Sequence, residues 1–431
     1  MPSAERHHGA GQPVSGAPTS GGPGVVVTGI GVTSAIGQGR RAFGDALLAG
    51  AHRFAVMRRP ERQAPVGENG ETTAFIGAEI ERLLLPDAIP AAKLRTASWS
   101  AQVAVATLHE AWEDAGLSAL DPRRVGLIVG GSNVQQRDTV QTLLKYRDRP
   151  QFIKPTYAMS FMDTDLCGLC SELFGIRGLA ITVGGASASG QLAVIEAAEA
   201  VRSGRLDACI ALGALLDLSY FECQALRTVG AMGSDRFADR PDLACRPFDT
   251  DHDGFIYGEA CGAVVLQRAD GPAGVGARRH AALRGWALAW DGNRNPNPSL
   301  EGETTVIREA LAMAGVHAAE VDYVNPHGTA SLVGDGVEAE ALRSSGLLHA
   351  RINTTKSLTG HGLSAAGIVE LIAVMLQMEA GRLHPSRNLE RPIDPDFAWV
   401  GAESVEHRIE CALNMSMGFG GINTAVCLQR A

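Results

Sequence analysis

The chain lacks an excess of positive charge: 38 Lys and Arg stand against 47 Asp and Glu, for a formal net charge of −9. That balance argues against nucleic acid or an anionic membrane as the main partner. A local basic patch can still receive an acidic partner, and Arg58, Arg59, Arg62 and the run Lys145, Arg147, Arg149 are candidates for one. Long hydrophobic runs are missing too. No stretch of about 18 apolar residues reads as a membrane span, and no apolar segment of a secretory signal stands near the start, so a soluble, cytoplasmic protein is expected. Cysteine is present but unpatterned: of eight, Cys167 and Cys170 make the one C-x-x-C, with neither a second pair nor a histidine at zinc-site spacing. No metal site is expected, and the thiols read as packing residues, Cys261 and Cys411 within apolar strand-like runs. Residues 1–24 have almost no bulky side chains, being dominated by Gly, Pro, Ser and Ala. Such a segment buries too little to offset the entropy of ordering, which predicts a disordered tail. The chain as a whole is 45% apolar, ample for a large core.

The most informative stretch is Val183-Gly184-Gly185-Ala186-Ser187-Ala188-Ser189-Gly190. Ala180 to Val183, apolar and partly β-branched, predicts a buried strand, and Gln191 to Val201 an Ala-rich helix. Ser187 then lies on a tight strand-to-helix turn. Small residues there let the backbone approach itself, and the free N–H groups of the helix start face whatever binds. A serine-hydrolase elbow is only half present, because Gly185-Ala-Ser187-Ala-Ser189 lacks the second glycine of G-x-S-x-G. A serine acting as a plain helix cap is the ordinary alternative.

Downstream segments decide between these readings. Asn325-Pro326-His327-Gly328-Thr329-Ala330-Ser331 follows the apolar stretch Val321 to Val324. Asn353-Thr354-Thr355-Lys356-Ser357-Leu358-Thr359-Gly360-His361 runs on into Ser364-Ala365-Ala366-Gly367-Ile368-Val369-Glu370. Asn414-Met415-Ser416-Met417-Gly418-Phe419-Gly420-Gly421-Ile422-Asn423 stands near the end. With Val27-Thr28-Gly29-Ile30-Gly31 and Cys245-Arg246-Pro247-Phe248-Asp249 in this order, the chain resembles the β-ketoacyl-acyl carrier protein synthases from about residue 25 to its C-terminus. The resemblance implies one α/β domain, 25–431, with a thiolase-like fold. Its two pseudo-duplicated halves, about 25–268 and 269–431, would make a layered α-β-α-β-α core. A buried helix is expected just after Ser187 and a counterpart just after His361, each preceded by an apolar strand. A homodimer is also implied, with Ala180 to Gly184 pairing with its copy across a two-fold axis and so covering a sheet edge.

In this family a cysteine stands where Ser187 is; it accepts an acyl group, and two histidines then hold the thioester carbonyl of a malonyl unit while carbon dioxide leaves. His327 and His361 fit the histidine positions, donating to the enolate oxygen, a kind of contact whose loss costs ~10²–10³ in rate. Lys356 and Glu370 are implied to form a buried ion pair that fixes the second histidine. The backbone N–H groups of Ser187 and Met417 would form the acyl oxyanion hole. Thr329 and Ser331 match the hydroxyls that contact the phosphopantetheine arm, which the carrier protein brings, so no cofactor of the enzyme's own is expected. Met417 replaces the first phenylalanine of the S-F-G-F-G-G pattern, which gates the acyl chain, while Phe419 is kept. Ser364 replaces a glycine of G-H-x-x-G-A-A-G, and Ala330 differs from the residue usual between the two hydroxyls.

A serine hydroxyl is far less acidic than a thiol of pKa near ~8.5 and needs a positioned base. The decarboxylating half of the chemistry is therefore kept and the acyl-transfer half weakened. The Gly-Gly-Ala-Ser-Ala-Ser-Gly turn, Asp322 to His327 and Ser160-Phe161-Met162-Asp163-Thr164-Asp165 look like a narrower group. These are the serine-containing decarboxylases of polyketide β-branching cassettes, which act beside a hydroxymethylglutaryl-CoA-synthase-like enzyme. That likeness implies malonyl-acyl carrier protein as substrate and partner, and acetyl-acyl carrier protein as product. Two rivals stay open: an acyltransferase or condensing enzyme using Ser187 as a true nucleophile, and a catalytically silent partner subunit.

Overall fold

The computed structural model describes residues 24–66, 70–271, 276 and 278–431; the predicted tail, save Gly24, lies outside them. Continuous apolar, β-branched runs form the strands β1 (Val25–Ser34), β2 (Val125–Gly130), β3 (Ala180–Val183), β4 (Ala208–Gly213) and β5 (Ala260–Arg268), all but β3 almost wholly buried. The second half supplies β6 (Ala281–Trp290), β7 (Tyr323–Asn325), β8 (Arg351–Ile352), β9 (Ala398–Trp399), β10 (Cys411–Gly418) and β11 (Ile422–Arg430). One continuous sheet runs β3-β2-β4-β5-β1-β6-β11-β10-β7-β8-β9. Outward from its middle, each half places its first strand beside its last, then its fourth, second and third, ignoring the short β9. The pairings match as well: antiparallel, antiparallel, parallel, parallel in both halves.

The duplication extends to an irregularity. In β1 the register shifts between Val27 and Gly29, and in β6 between Leu283 and Gly285, at the same place along each strand. Both glycines sit where a helix passes close: a Cβ on Gly29 would lie 2.5 Å from the Ala111 carbonyl oxygen, and one on Gly285 2.2 Å from that of Ala310. Those helices are α1 (Trp99–Ala115), opened by the Ser98 hydroxyl and closed by Gly116 at φ 63°, and later in the chain Leu300–Ala314, opened by Ser299 and closed by Gly315 at φ 67°.

Between the third and fourth strands of each half runs a central helix, α2 (Ser189–Arg202) and its counterpart Ala366–Ala380, both almost entirely buried in one shared apolar cluster. We number Leu300–Ala314 as α3, Gly334–Ser344 as α4, Lys356–Thr359 as α5 and Ala366–Ala380 as α6. Each central helix is entered through a 3-10 turn whose first residue has a positive φ, Ala186 at 47° and Leu363 at 50°.

Four sequence expectations change. The run Ala180 to Val183 is a strand but not a buried one: β3 is the outer edge of the sheet, and Ile181 is 38% exposed. The counterpart helix α6 follows the short helix α5 rather than a strand. One helical stretch, Leu363–Ala380, has the length and mean hydropathy (1.6) of a membrane span, but 89% of it is buried inside the protein, as befits a core helix. Arg62 is no surface cation: it is fully buried, bonded to Asp217 and Glu259, and Arg59 pairs with Glu259 too. Of the basic candidates, Arg58, Lys145, Arg147 and Arg149 are exposed.

Candidate active site

The first turn is built to hold Ser187 outward. Ala186 adopts a left-handed backbone that non-glycine residues rarely take. The Ser189 hydroxyl locks it by donating to the Ala186 carbonyl (2.7 Å) and accepting from the Gly185 N–H (2.9 Å). From across the sheet, the Ser416 hydroxyl donates to the Ser187 carbonyl at 3.3 Å. Gly418, at the end of β10, abuts this turn so closely that a Cβ would sit 2.3 Å from the Gly185 carbonyl oxygen. In the second turn, Ser364 takes the place that Ser187 has in the first, but it is buried and its hydroxyl donates to the Ala214 carbonyl at 2.7 Å.

Above these turns opens a cavity of about 480 Å³ lined by Ser187, His327, His361, Thr329, Ser331, Met417 and Phe419. The structure thus gathers in one wall every residue the sequence named for contact with substrate. The Ser331 hydroxyl also accepts from the Gly334 N–H at 3.1 Å, which steadies the start of α4.

His361 and Ser187 touch, with Nε2 and Oγ 3.0 Å apart. The His361 ring meets the His327 ring edge-on at 5.4 Å and the Phe255 ring edge-on at 5.1 Å. Its own backbone N–H donates to the Ile256 carbonyl. Each histidine has a buried Nδ1 with no partner among the described residues. A buried N–H without an acceptor is rarer and costlier than an unmet lone pair, so the proton of each neutral ring belongs on Nε2, toward the cavity. Burial first, and then the Lys356 charge, hold both rings well below the ordinary histidine pKa. They are neutral donors near pH 7.

Lys356 and Glu370 do form a buried ion pair, but it steadies the first histidine and not the second. The Lys356 ammonium donates to the His327 carbonyl as well as to Glu370. The reason is where α5 points: Lys356, at its start, reaches under the loop after β7, whereas His361 is held by the Ile256 backbone. Glu370 is pushed up by burial and drawn down by Lys356.

Sequence reasoning missed the groups that hold the His327 loop. Glu338 accepts from the His327 and Gly328 N–H groups at 2.6 and 2.7 Å, and Asp335 accepts from Thr329 N–H at 3.1 Å. Both are buried on α4. Acidic residues three apart on the inward face of a helix were the available signal. Also missed was Glu303 on α3, 2% exposed and part of the cavity wall.

Comparison with known proteins bears on the family and the fold. The family models described as Beta-ketoacyl synthase, N-terminal domain and Beta-ketoacyl synthase, C-terminal domain match residues 23–271 and 280–390. The polyketide biosynthesis malonyl-ACP decarboxylase PksF of Bacillus subtilis is 58% identical over 94% of this chain and 96% of its own length. The 3-oxoacyl-[acyl-carrier-protein] synthase 2 of Coxiella burnetii is 29% identical over 94% of this chain and 98% of that protein. Among solved structures, a beta-ketoacyl synthase from Burkholderia phymatum superposes with a TM-score of 0.84 at 26% identity, covering 95% of this chain and all of that one. A type II polyketide ketosynthase in complex with its acyl-carrier protein gives 0.82 at 25% identity over 95% of this chain and 100% of that one.

Proposed function

This chain belongs to the β-ketoacyl synthase family, and from that premise we propose the reading its site supports best: it decarboxylates malonyl-ACP to acetyl-ACP in polyketide biosynthesis and does not condense. The likeness to a named malonyl-ACP decarboxylase across nearly the whole chain supports the substrate and the reaction. The observation that carries the mechanism is the pair of buried rings, His327 and His361, meeting edge-on in the wall of one cavity with each Nδ1 unpartnered among the described residues.

As the bond to the malonyl carboxylate breaks, its electron pair moves into the thioester and negative charge gathers on the carbonyl oxygen. Two fixed N–H donors held by buried rings stabilise that charge more than they stabilise the ground state. Thr329 and Ser331 place hydroxyls along the path of the phosphopantetheine arm, and the backbone of Ser187 and Met417 frames the acyl end. Placement in a β-branching cassette and assembly as a homodimer through β3 belong to the same proposal.

One observation favours a rival: the 3.0 Å contact between His361 and Ser187 is the spacing of a base and its nucleophile. Two others weaken it. A general base works best with a pKa near the operating pH, and His361 is held well below that. Among the described residues its Nδ1 has no carboxylate or carbonyl to orient and charge-balance it, as the third member of a triad would. The proposed contact is therefore Nε2–H donating to Oγ, leaving Ser187 un-ionised. The test is incubation with malonyl-loaded carrier protein followed by intact mass of both proteins. Carrier that loses carbon dioxide beside unmodified enzyme is expected; an acyl-enzyme chased by a second carrier would replace this reading with an acyltransferase.

A further inference from the structure

Decarboxylation leaves an enolate, and what befalls it separates this activity from condensation: a condensing enzyme keeps it for carbon–carbon bond formation, whereas acetyl-ACP requires a proton on carbon. The histidine N–H groups stabilise the oxygen and are poorly suited to supply that proton as well. Within the cavity wall stands an acid with no other task. Glu303, at the start of α3, is 2% exposed, and its Oε2 is buried with no hydrogen-bond partner among the described residues. No lysine, arginine or histidine pairs with it there. The ionisable groups that face it are Glu338 and Asp335 from α4 and Asp291 from the segment after β6, all carboxyl groups.

Resting on the decarboxylase reading above, we propose that Glu303 is the proton donor that converts the enolate to acetyl-ACP. Malonyl thioester first loses carbon dioxide, the carbon–carbon bond electrons forming the enolate. The enolate pair then takes the Glu303 proton at carbon, giving the acetyl thioester and a Glu303 carboxylate, which recovers a proton from solvent through the open cavity. One proton is consumed per carbon dioxide released, as the overall reaction requires. The electrostatics favour a neutral acid: burial and three neighbouring carboxyl groups hold Glu303 well above the usual carboxylate range. Glu338, pushed up to about 8, competes for the shared proton, but its two backbone N–H donors favour its ionised form, and Glu303 has no such help.

Glu303→Gln keeps size and neutrality and removes only the acidic proton. Positioned proton transfer contributes typically ~10²–10⁴ in rate, so acetyl-ACP turnover should fall at least ~10²-fold with KM and melting temperature little changed. In single turnover, carbon dioxide should appear ahead of acetyl-ACP in the variant but together with it in wild type. The alkaline limb of the wild-type pH profile should vanish. Simultaneous release at the wild-type rate, or a persisting limb, would overturn the proposal. Should the Gln variant fail to fold, Glu303→Asp is read instead: slowed turnover that keeps the limb supports the assignment, and full turnover overturns it. Wild-type enzyme that releases no carbon dioxide from malonyl-ACP would instead sink the underlying function.

Discussion

Two donors to one oxygen cannot replace each other, because each occupies a different direction around the developing charge. His327→Ala and His361→Ala should therefore each slow acetyl-ACP formation by at least ~10²-fold, and steady-state assay of either variant at full wild-type rate would overturn the mechanism. Ser187→Ala should behave differently, since in the proposed reaction carbon dioxide loss passes through no covalent enzyme intermediate. A fall of no more than roughly tenfold to hundredfold, the scale of a positioning role, is expected; abolished product would restore the nucleophile. A residue outside the cavity reports on stability. His384 is fully buried, and burial pushes its pKa down to about 4 from an unfolded value of 6.5. The unfolded chain thus binds a proton that the folded chain refuses between pH 6.5 and 4. The stability this neutral ring allows is complete above 6.5 and is lost as pH falls, by on the order of 1.4 kcal/mol per unit. Buried Glu338 acts in the opposite sense, so the effect is read by difference: urea unfolding of His384→Gln should show a shallower acid-side decline than wild type, and parallel curves would refute it. At this scale much of the site was legible. Ser187, His327, His361, Thr329 and Ser331 declared themselves through motifs, whereas Glu303 and Glu338 did not, because a carboxylate on a helix reads as solvated surface until the fold buries it.

The turns at Ser187 and at Leu363 show where elements carry information that single residues do not. The tight turn itself was readable from its small residues. The close passage of β10 beneath it was not, because that contact joins segments more than 200 positions apart, as Ser416 and Ser187 do. Gly418→Ala tests the passage. Its Cβ would meet the Gly185 carbonyl at 2.3 Å and Ile422 Cγ2 at 2.8 Å, and a backbone neighbour cannot swing aside as a flexible side chain can. Overpacking of this kind costs typically ~1–3 kcal/mol, so the melting temperature should drop by several degrees and turnover should fall with it as the turn is displaced. A variant indistinguishable from wild type in both would show that strand and turn are not so tightly joined. Register defies sequence reading for a related reason: the matching bulges after Val27 and Leu283 leave no residue signature beyond the glycine that follows each by two positions.

For the whole molecule, the exposed edge at β3 is the feature that asks for a partner. A strand with unpaired backbone groups and Ile181 38% exposed is a template for pairing with a second copy. Ile181→Lys should shift sedimentation from dimer to monomer at micromolar concentration; a wild-type protein that already sediments as a monomer there would count against the dimer. The sequence signalled the strand but not its place at the sheet's margin, since an apolar run looks alike at the centre and at an edge. The paired halves have a consequence of another kind. Ser187 comes from the first half, while His327, His361, Lys356 and Glu370 all come from the second. Two chemical duties thus reside on different halves of one chain, and mutation can silence one without disturbing the other's scaffold. A change confined to position 187 leaves the half that carries the histidine pair untouched, so one duty can be lost by subtraction while the other persists.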